Sequence, residues 1–371
     1  MDQIDQDLVC IGCGAHIQTS NPDELGYTPE SALRKGLESG ELYCQRCFRL
    51  RHYNEIAPVN LTDDDFRRLL SQISETDSLI VYVMDLFDVN GSLIPGLHRF
   101  IGDNEVLLVG NKEDILPKSL KRPRMKEWLR QQAFANGIRP IDVVLTSAKN
   151  RHEVNNLFEA IEKYRNGKDV YVVGVTNVGK STLINQLIAI RNDIKDLITT
   201  SRFPGTTLDK IEIPFDEESS LIDTPGIVHR EQMAHVLEPE DLKYAAPQKT
   251  IKPRVFQLNG DQTLFMGALA RFDYQRSNGP VVAYFENNLN IHRTKLENAD
   301  QFYEKHAGEL LTPPTNGNFE KLPKLIKHNF SVSEKSDIVF EGLGWISVPA
   351  GAIITGWAPE GISVITRKAM I

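Results

Sequence analysis

Long apolar runs are missing from this 371-residue sequence. None approaches the roughly 20 residues that a membrane-crossing helix needs, so no membrane association is expected. A surplus of basic charge is missing too. The net charge is −8, which excludes bulk polycation attraction to nucleic acid and leaves only a local patch for that purpose. From Ile251 onward 13 Lys+Arg stand against 12 Asp+Glu, so the acidity lies in the preceding part. Met1 to Asp7 lacks the basic and apolar regions of a secretory signal, and a cytoplasmic address is expected. Cysteine is scarce. The four present fall into two pairs, Cys10-Ile11-Gly12-Cys13 and Cys44-Gln45-Arg46-Cys47, a pattern poorly explained as disulfides in a reducing compartment.

What is there reads as a globular chain of two or three domains, with 41% hydrophobic and 25% charged residues. Three segments are expected: 1–57, 58–228 and 229–371. The first has no sustained apolar period and needs a staple to fold. Its two C-x-x-C hooks, separated by 30 residues, fit a tetrahedral Zn²⁺ site of four thiolates, Cys10, Cys13, Cys44 and Cys47. Four sulfurs fill the coordination sphere, so such a site is structural. An iron–sulfur cluster and four core thiols are the alternatives. Beside the second hook run Arg46, Phe48, Arg49, Arg51, His52 and Tyr53. This is either a solvated basic face or a surface that contacts RNA phosphates and stacks on bases.

After Pro58, Thr62 reads as the N-cap of a helix whose buried stripe is Phe66, Leu69, Leu70 and Ile73. Strand-like runs then follow at Ser78–Met84, Glu105–Val109, Ile141–Leu145, Asp169–Val173, Ile211–Phe215 and Ser220–Ile222. Amphipathic helices are predicted at Pro123–Asn136, Glu153–Tyr164 and Lys180–Ala189. Buried strands alternating with helices predict an α/β domain built on a mostly parallel six-stranded sheet. Beyond Gly226, His235–Ala245 reads as a helix. Pro247 to Ile371 reads as short strands of a separate β-containing domain, with Lys321, Lys324, Lys327, His328 and Trp345 as candidate RNA contacts.

Gly174-Val175-Thr176-Asn177-Val178-Gly179-Lys180-Ser181 fits G-x-x-x-x-G-K-[ST], follows a predicted strand and opens a helix, the context this phosphate loop requires. Gly174, Asn177, Val178, Gly179, Lys180, Ser181 and Thr182 are the expected phosphate-binding residues. Their backbone N–H groups converge on oxygens at a helix N-terminus. Lys180 is expected to neutralise the β- and γ-phosphates, and Ser181 to ligate Mg²⁺. Downstream, Asp223-Thr224-Pro225-Gly226 places an Asp at a strand end to hold Mg²⁺ and a Gly whose N–H can meet the γ-phosphate. Between them, Thr207 of Phe203-Pro204-Gly205-Thr206-Thr207 is the expected Mg²⁺-completing gate, although a Pro-Gly turn accounts for the segment equally.

Asn111-Lys112-Glu113-Asp114 matches N-K-x-D. The Asp114 carboxylate can accept from guanine N1–H and N2–H₂. Adenine offers no such donor pair, and leaving the acid unpaired costs about 1–3 kcal/mol. Lys112 is expected along the base plane, with Asn111 tying this loop to the phosphate loop. Thr146-Ser147-Ala148-Lys149 supplies an S-A-K loop, Ser147 to Lys149, whose backbone supports guanine O6. GTP or GDP with Mg²⁺ is therefore the expected ligand.

The order of these motifs is rearranged, because the base-reading loops precede the phosphate loop. Cutting an ordinary domain before its fourth strand and joining the old ends at Arg165-Asn166-Gly167-Lys168 gives this order. At this point the sequence resembles the circularly permuted GTPases, most closely the YqeH-type bacterial ribosome-assembly GTPases. The resemblance includes Met266-Gly267-Ala268-Leu269 and Asp337–Trp345. It implies GTP hydrolysis with Lys180, Thr207, Gly226 and Asn177 as catalytic residues, and a role on ribosomal RNA or a small-subunit precursor. It also implies slow turnover and help from elsewhere, since Ile227 stands where many signalling GTPases carry a water-orienting Gln. Asn177 matches the Asn that binds K⁺ in potassium-stimulated relatives, and equally suits a residue that merely supports the turn. A monomer is expected. Competing readings are a GTP-binding scaffold with little turnover and a metal-homeostasis or metabolic GTPase.

Overall fold

The computed structural model describes residues 8, 10, 16–22, 26–39, 42–45, 48, 72–195, 211–214, 216, 218–224, 226, 229, 231–276 and 279–370. The chain forms two compact units. The first comprises Met1–Leu86, Ser92–Glu113 and Lys126–Val228, and the second Phe87–Gly91, Asp114–Met125 and His229–Ile371.

The first unit is built on β1 (Leu79–Asp85), β2 (Glu105–Asn111), β3 (Asp142–Leu145), β4 (Val170–Val173), β5 (Ile211–Pro214) and β6 (Ser220–Asp223). Their order in the sheet is β3-β2-β1-β4-β6-β5. Five of the six strands are parallel, and β5 joins the edge antiparallel to β6. Every residue of β1 and of β4 is buried. This explains their unbroken apolar runs, because a parallel strand covered on both faces has no polar side to show. Each fully buried Val, Ile or Leu there contributes about 1.5–3 kcal/mol.

Helices α1 (Glu30–Ser39), α2 (Leu97–Phe100), α3 (Arg122–Ala135), α4 (Arg151–Arg165) and α5 (Lys180–Lys195) accompany these strands. In α4, Val154, Leu157 and Ile161 form the buried stripe, and the Asn150 side chain caps the start by accepting from His152 and Glu153 N–H. The chain winds outward through β2 and β3, then returns so that β4 pairs beside β1. That return is the join seen in the sequence. Asn166 and Gly167 take left-handed conformations, at φ 47° and 81°, and end the helix. Arg165 fastens the join, donating to Ser219 Oγ at 2.7 Å and pairing with Asp216 at 2.7 Å and Glu162 at 3.0 Å.

The N-terminal segment has a small core of Cys10, Ile17, Leu42 and Cys44. Cys13 and Cys47 lie outside the described residues, as do Arg46, Arg49, Arg51, His52 and Tyr53, and the expected helix from Thr62 up to Ser71. Ile73 is buried and Phe48 is exposed.

The second unit contains two five-stranded antiparallel sheets. The strands are β7 (Arg254–Leu258), β8 (Gln262–Met266), β9 (Ala270–Arg276), β10 (Gly279–Phe285), β11 (Ile291–Lys295), β12 (Leu325–Ser331), β13 (Ser336–Phe340), β14 (Gly344–Val348), β15 (Ile353–Pro359) and β16 (Val364–Lys368), with helix α6 (Ala299–His306). Their orders are β16-β13-β14-β10-β7 and β11-β8-β9-β15-β12. Phe272, Tyr274, Phe285, Phe340, Ile346 and Ile354 belong to one buried cluster. Two expectations fail here. The helix predicted over His235–Ala245 is only a pair of 3₁₀ turns, Met233–His235 and Leu242–Tyr244, because Pro239 lacks the N–H and clashes with a preceding turn. Trp345 is fully buried, so it is a core residue and not a surface contact. Lys321, Lys324 and Lys327 are exposed, and His328 is half-buried.

Candidate nucleotide site

The chain direction reverses between β1 and β4, the position where open α/β sheets bind ligands beyond the carboxyl ends of their strands. Motif residues stand at those ends in four of the five parallel strands, and an acid outside the motifs stands at the fifth. Asp85 ends β1, Asn111 ends β2, Thr146 follows β3, Gly174 follows β4 and Asp223 ends β6. Lys180 is the first residue of α5.

Direct hydrogen bonds draw the base-reading and phosphate loops together. Asn111 Nδ2 donates to Val178 O at 2.8 Å, and Asn111 Oδ1 accepts from Ala148 N–H at 3.2 Å. One amide thus ties three motifs. Lys112 Nζ donates to Asn177 O at 2.7 Å. The S-A-K loop is set by its own backbone: Glu113 N–H donates to Thr146 O and Thr146 N–H to Gly110 O. Ser147 is buried, with its Oγ accepting from Lys149 N–H, and Lys149 is exposed. Asp114 lies on the 3₁₀ turn Glu113–Ile115 with an exposed side chain, and its carbonyl accepts from Thr250 Oγ1.

At the other end of the loop, Lys180 Nζ meets Asp223 Oδ1 at 2.5 Å, both side chains over 90% buried. A buried cation and a buried carboxylate side by side are complementary to a phosphate and its magnesium ion. Ser181 is half-buried and Thr182 exposed. Gly226 lies against the phosphate loop so closely that a Cβ would stand 3.2 Å from Thr176 N, which leaves the turn's N–H near the loop. Gly179 is also required. Its φ is +87°, and a Cβ would come within 2.5 Å of Asn111 Nδ2. Asn177 too is left-handed, at φ 64°, a conformation Asn tolerates better than other non-glycine residues, and its side chain is exposed. Support of the turn therefore accounts for Asn177 without an ion. Thr207, Pro225 and Ile227 lie outside the described residues.

The sequence reading missed Asp85, whose Oδ2 meets Lys112 Nζ at 2.6 Å. The signal was present: an acid closes the apolar run Leu79–Met84, as Asp223 closes Leu221–Ile222.

In the N-terminal segment, Cys10 and Cys44 are both 1% exposed, and Cys44 N–H donates to Cys10 Sγ at 3.2 Å. One cysteine of each hook is thus brought beside one of the other. Among the described residues no group of three or more His, Cys, Asp or Glu gathers as a metal site. None of the helices described is long and apolar enough to cross a membrane.

Comparison with known proteins gives two family matches. Residues 169–263 match the family described as 50S ribosome-binding GTPase, and residues 278–370 the one described as YqeH-like, C-terminal. The protein named "Uncharacterized protein YqeH" of Bacillus subtilis is 55% identical over 98% of this chain and 99% of its own length. NO-associated protein 1, chloroplastic/mitochondrial, of Arabidopsis thaliana is 31% identical over 95% of this chain and 72% of its own. Nitric oxide-associated protein 1 of Homo sapiens is 26% identical over 98% and 74%.

Proposed function

Since the chain belongs to the YqeH family of GTPases, we propose that it is a GTP-driven switch acting on ribosomal RNA during small-subunit assembly. The observation that carries the nucleotide reading is the pair of bonds from Asn111 and Lys112 to Val178 and Asn177, residues 67 and 65 positions apart. Bonded to one another, a phosphate loop and a distant N-K-x-D turn are placed to serve one shared ligand. Asp114 reads the guanine edge, the backbone of the Ser147–Lys149 loop supports O6, and the Asn177–Ser181 backbone and Lys180 hold the phosphates. Ser181, Asp223 and Thr207 would hold Mg²⁺, which would neutralise the negative charge that develops on the phosphates. Water then attacks the γ-phosphorus, GDP leaves, and Gly226 N–H responds to whether the γ-phosphate is there. Ile227 cannot orient that water, so turnover is slow without a partner.

Zinc held by Cys10, Cys13, Cys44 and Cys47 fits the donor set, because the Cys44 N–H bond to Cys10 Sγ stabilises a thiolate. The metal supplies a crosslink and no hydrolytic chemistry. RNA is contacted by the basic residues Arg46, Arg49 and Arg51 and by the exposed Lys324 and Lys327.

The test is co-sedimentation with separated small and large ribosomal subunits in GTP, a non-hydrolysable analogue, GDP or no nucleotide. Both subunits are needed because one matching family is described as 50S ribosome-binding. Binding to the small subunit with the analogue and release with GDP is the expected result. In the same assay Asp114→Asn is expected to require the xanthosine analogue. Equal sedimentation in every nucleotide state removes the switch, and preference for the large subunit removes the small-subunit assignment.

A further inference from the structure

Asp85 sits beside a site that must hold a polyanion. The parallel register aligns Tyr82 with Val173 and Asp85 with Asn111, so the acid stands at the strand ends between the phosphate loop and the base-reading loop. Its side chain is only 12% exposed. Simple electrostatics makes a carboxylate there a liability, since it repels phosphates across a poorly screened gap. The geometry gives it another use.

Lys112 is held from two sides. Its ammonium bonds Asp85 Oδ2 at 2.6 Å and Asn177 O at 2.7 Å. Its own backbone is left-handed, at φ 64°, which turns the side chain back toward β1. A trans peptide is planar, with C=O and N–H antiparallel. Pinning the Asn177 carbonyl on Lys112 therefore directs the Val178 N–H the opposite way. Asn111 does the same to the next plane: it takes the Val178 carbonyl and turns the Gly179 N–H away from itself. Two successive N–H groups of the phosphate loop are oriented by residues of the base-reading loop.

We propose that Asp85 is a positioning residue for nucleotide binding: its carboxylate holds the Lys112 ammonium on the Asn177 carbonyl and so fixes the peptide planes that receive phosphate. This rests on the guanine-nucleotide reading given above. It also explains why an acid is tolerated beside phosphates, because its charge is consumed by Lys112. The Asp85 backbone is itself anchored, its N–H donating to Ser92 Oγ at 2.9 Å, while Leu86 N–H donates to Asn111 O at 3.0 Å.

The two views give opposite signs. Removing the negative charge tightens GDP and GTP if Asp85 is merely a nearby acid, and weakens both if it positions Lys112. The experiment titrates a fluorescent GDP into wild type, Asp85→Asn, Lys112→Met and the double variant, with the unfolding midpoint of each measured without nucleotide. Asp85→Asn keeps the shape, so it remains measurable even where Asp85→Ala does not fold. The expected result is an increase in GDP Kd of about tenfold for Asp85→Asn, the scale of one charge-assisted hydrogen bond. The double variant is expected to be no weaker than Lys112→Met alone. Tighter or unchanged GDP binding in Asp85→Asn overturns the proposal, as do effects that multiply in the double variant. Asp114→Asn run in parallel separates the two levels. Should it move preference to xanthosine diphosphate while Asp85→Asn binds GDP normally, only the positioning role falls. Should it keep guanine preference, the underlying assignment falls first.

Discussion

Glu341, in the turn between β13 and β14, is buried, and among the described residues its Oε2 has no hydrogen-bond partner. His229 Nδ1 lies 3.9 Å away and likewise has no hydrogen bond among the described residues. Burial, with Asp88 and Glu231 nearby, pushes the Glu341 carboxyl up to about 8 from an ordinary 4.5. Burial also depresses His229, against Glu231, which favours its charged form, and with His235, which opposes it. The folded chain therefore keeps a proton on Glu341 that the unfolded chain releases above about 4.5. The stability this gives is complete below that pH and is lost as pH rises toward about 8. His229 works in the other direction, costing stability as pH falls below its ordinary 6.5. Replacing Glu341 by Gln removes the first effect and leaves the second. Unfolding midpoints measured from pH 5 to about 9 should therefore fall more steeply in wild type than in Glu341→Gln. Parallel curves would mean that Glu341 ionises normally in the fold.

At the scale of elements, the nucleotide half was legible because local pattern and burial agree there. The predicted Glu105–Val109 strand runs to Asn111, and the predicted Ile141–Leu145 strand begins at Asp142, shifts of one or two residues. A strand buried on both faces states itself in unbroken apolar letters, and a phosphate loop states both its flanks. The failures had a different origin. Pro239 stands inside the His235–Ala245 window, a helix breaker that the sequence itself displays. Trp345 is a core residue because Tyr284 and Phe87, distant in sequence, cover it, and the position of Asp85 at a strand end was legible while its partner Lys112, also distant, was not. The N-terminal element shows why cysteine spacing carried so much. Among the described residues its core holds four buried side chains, with Leu8, Leu33 and Tyr43 partly covering them. A core of that size supports the proposed metal staple. Chelation under mild acid, or Cys10→Ser, should therefore release about one zinc per chain and speed amide exchange over residues 8–48. GDP affinity should stay within about twofold, since the nucleotide site is built from other elements. Slow exchange that survives metal loss would refute the staple.

Across the whole molecule, the chain crosses between the two compact units five times, at residues 86/87, 91/92, 113/114, 125/126 and 228/229. Two short stretches of the nucleotide half are thus structural parts of the second unit. Phe87–Gly91 begins two residues after Asp85, and Asp114–Met125 begins two residues after Lys112. Within the second unit these stretches are firmly held. Phe87 meets the Trp345 ring at 5.7 Å, Asp88 accepts from Gln232 Nε2 at 2.9 Å, Asn90 accepts from Arg367 at 2.8 Å, and Ile115 O accepts from Ile251 N–H at 2.8 Å. Trp345 also stacks on Tyr284 at 4.9 Å, with Arg367 5.2 Å from its ring. Emptying that position should cost about 3–5 kcal/mol of stability. Its consequence should not stop there, because the loosened Phe87 segment is covalently continuous with Asp85. Trp345→Ala is therefore expected to lower the unfolding midpoint and to raise the GDP Kd several-fold below that midpoint. Phe272→Ala is the control, since Phe272 lies in a buried cluster of the same unit that does not include Trp345, and stacks on Tyr274. A comparable loss of stability with normal GDP affinity is expected for it. Were both variants to bind GDP normally, the threaded segments would be passive, and coupling between nucleotide state and the second unit would have to run through the crossing at Val228 alone.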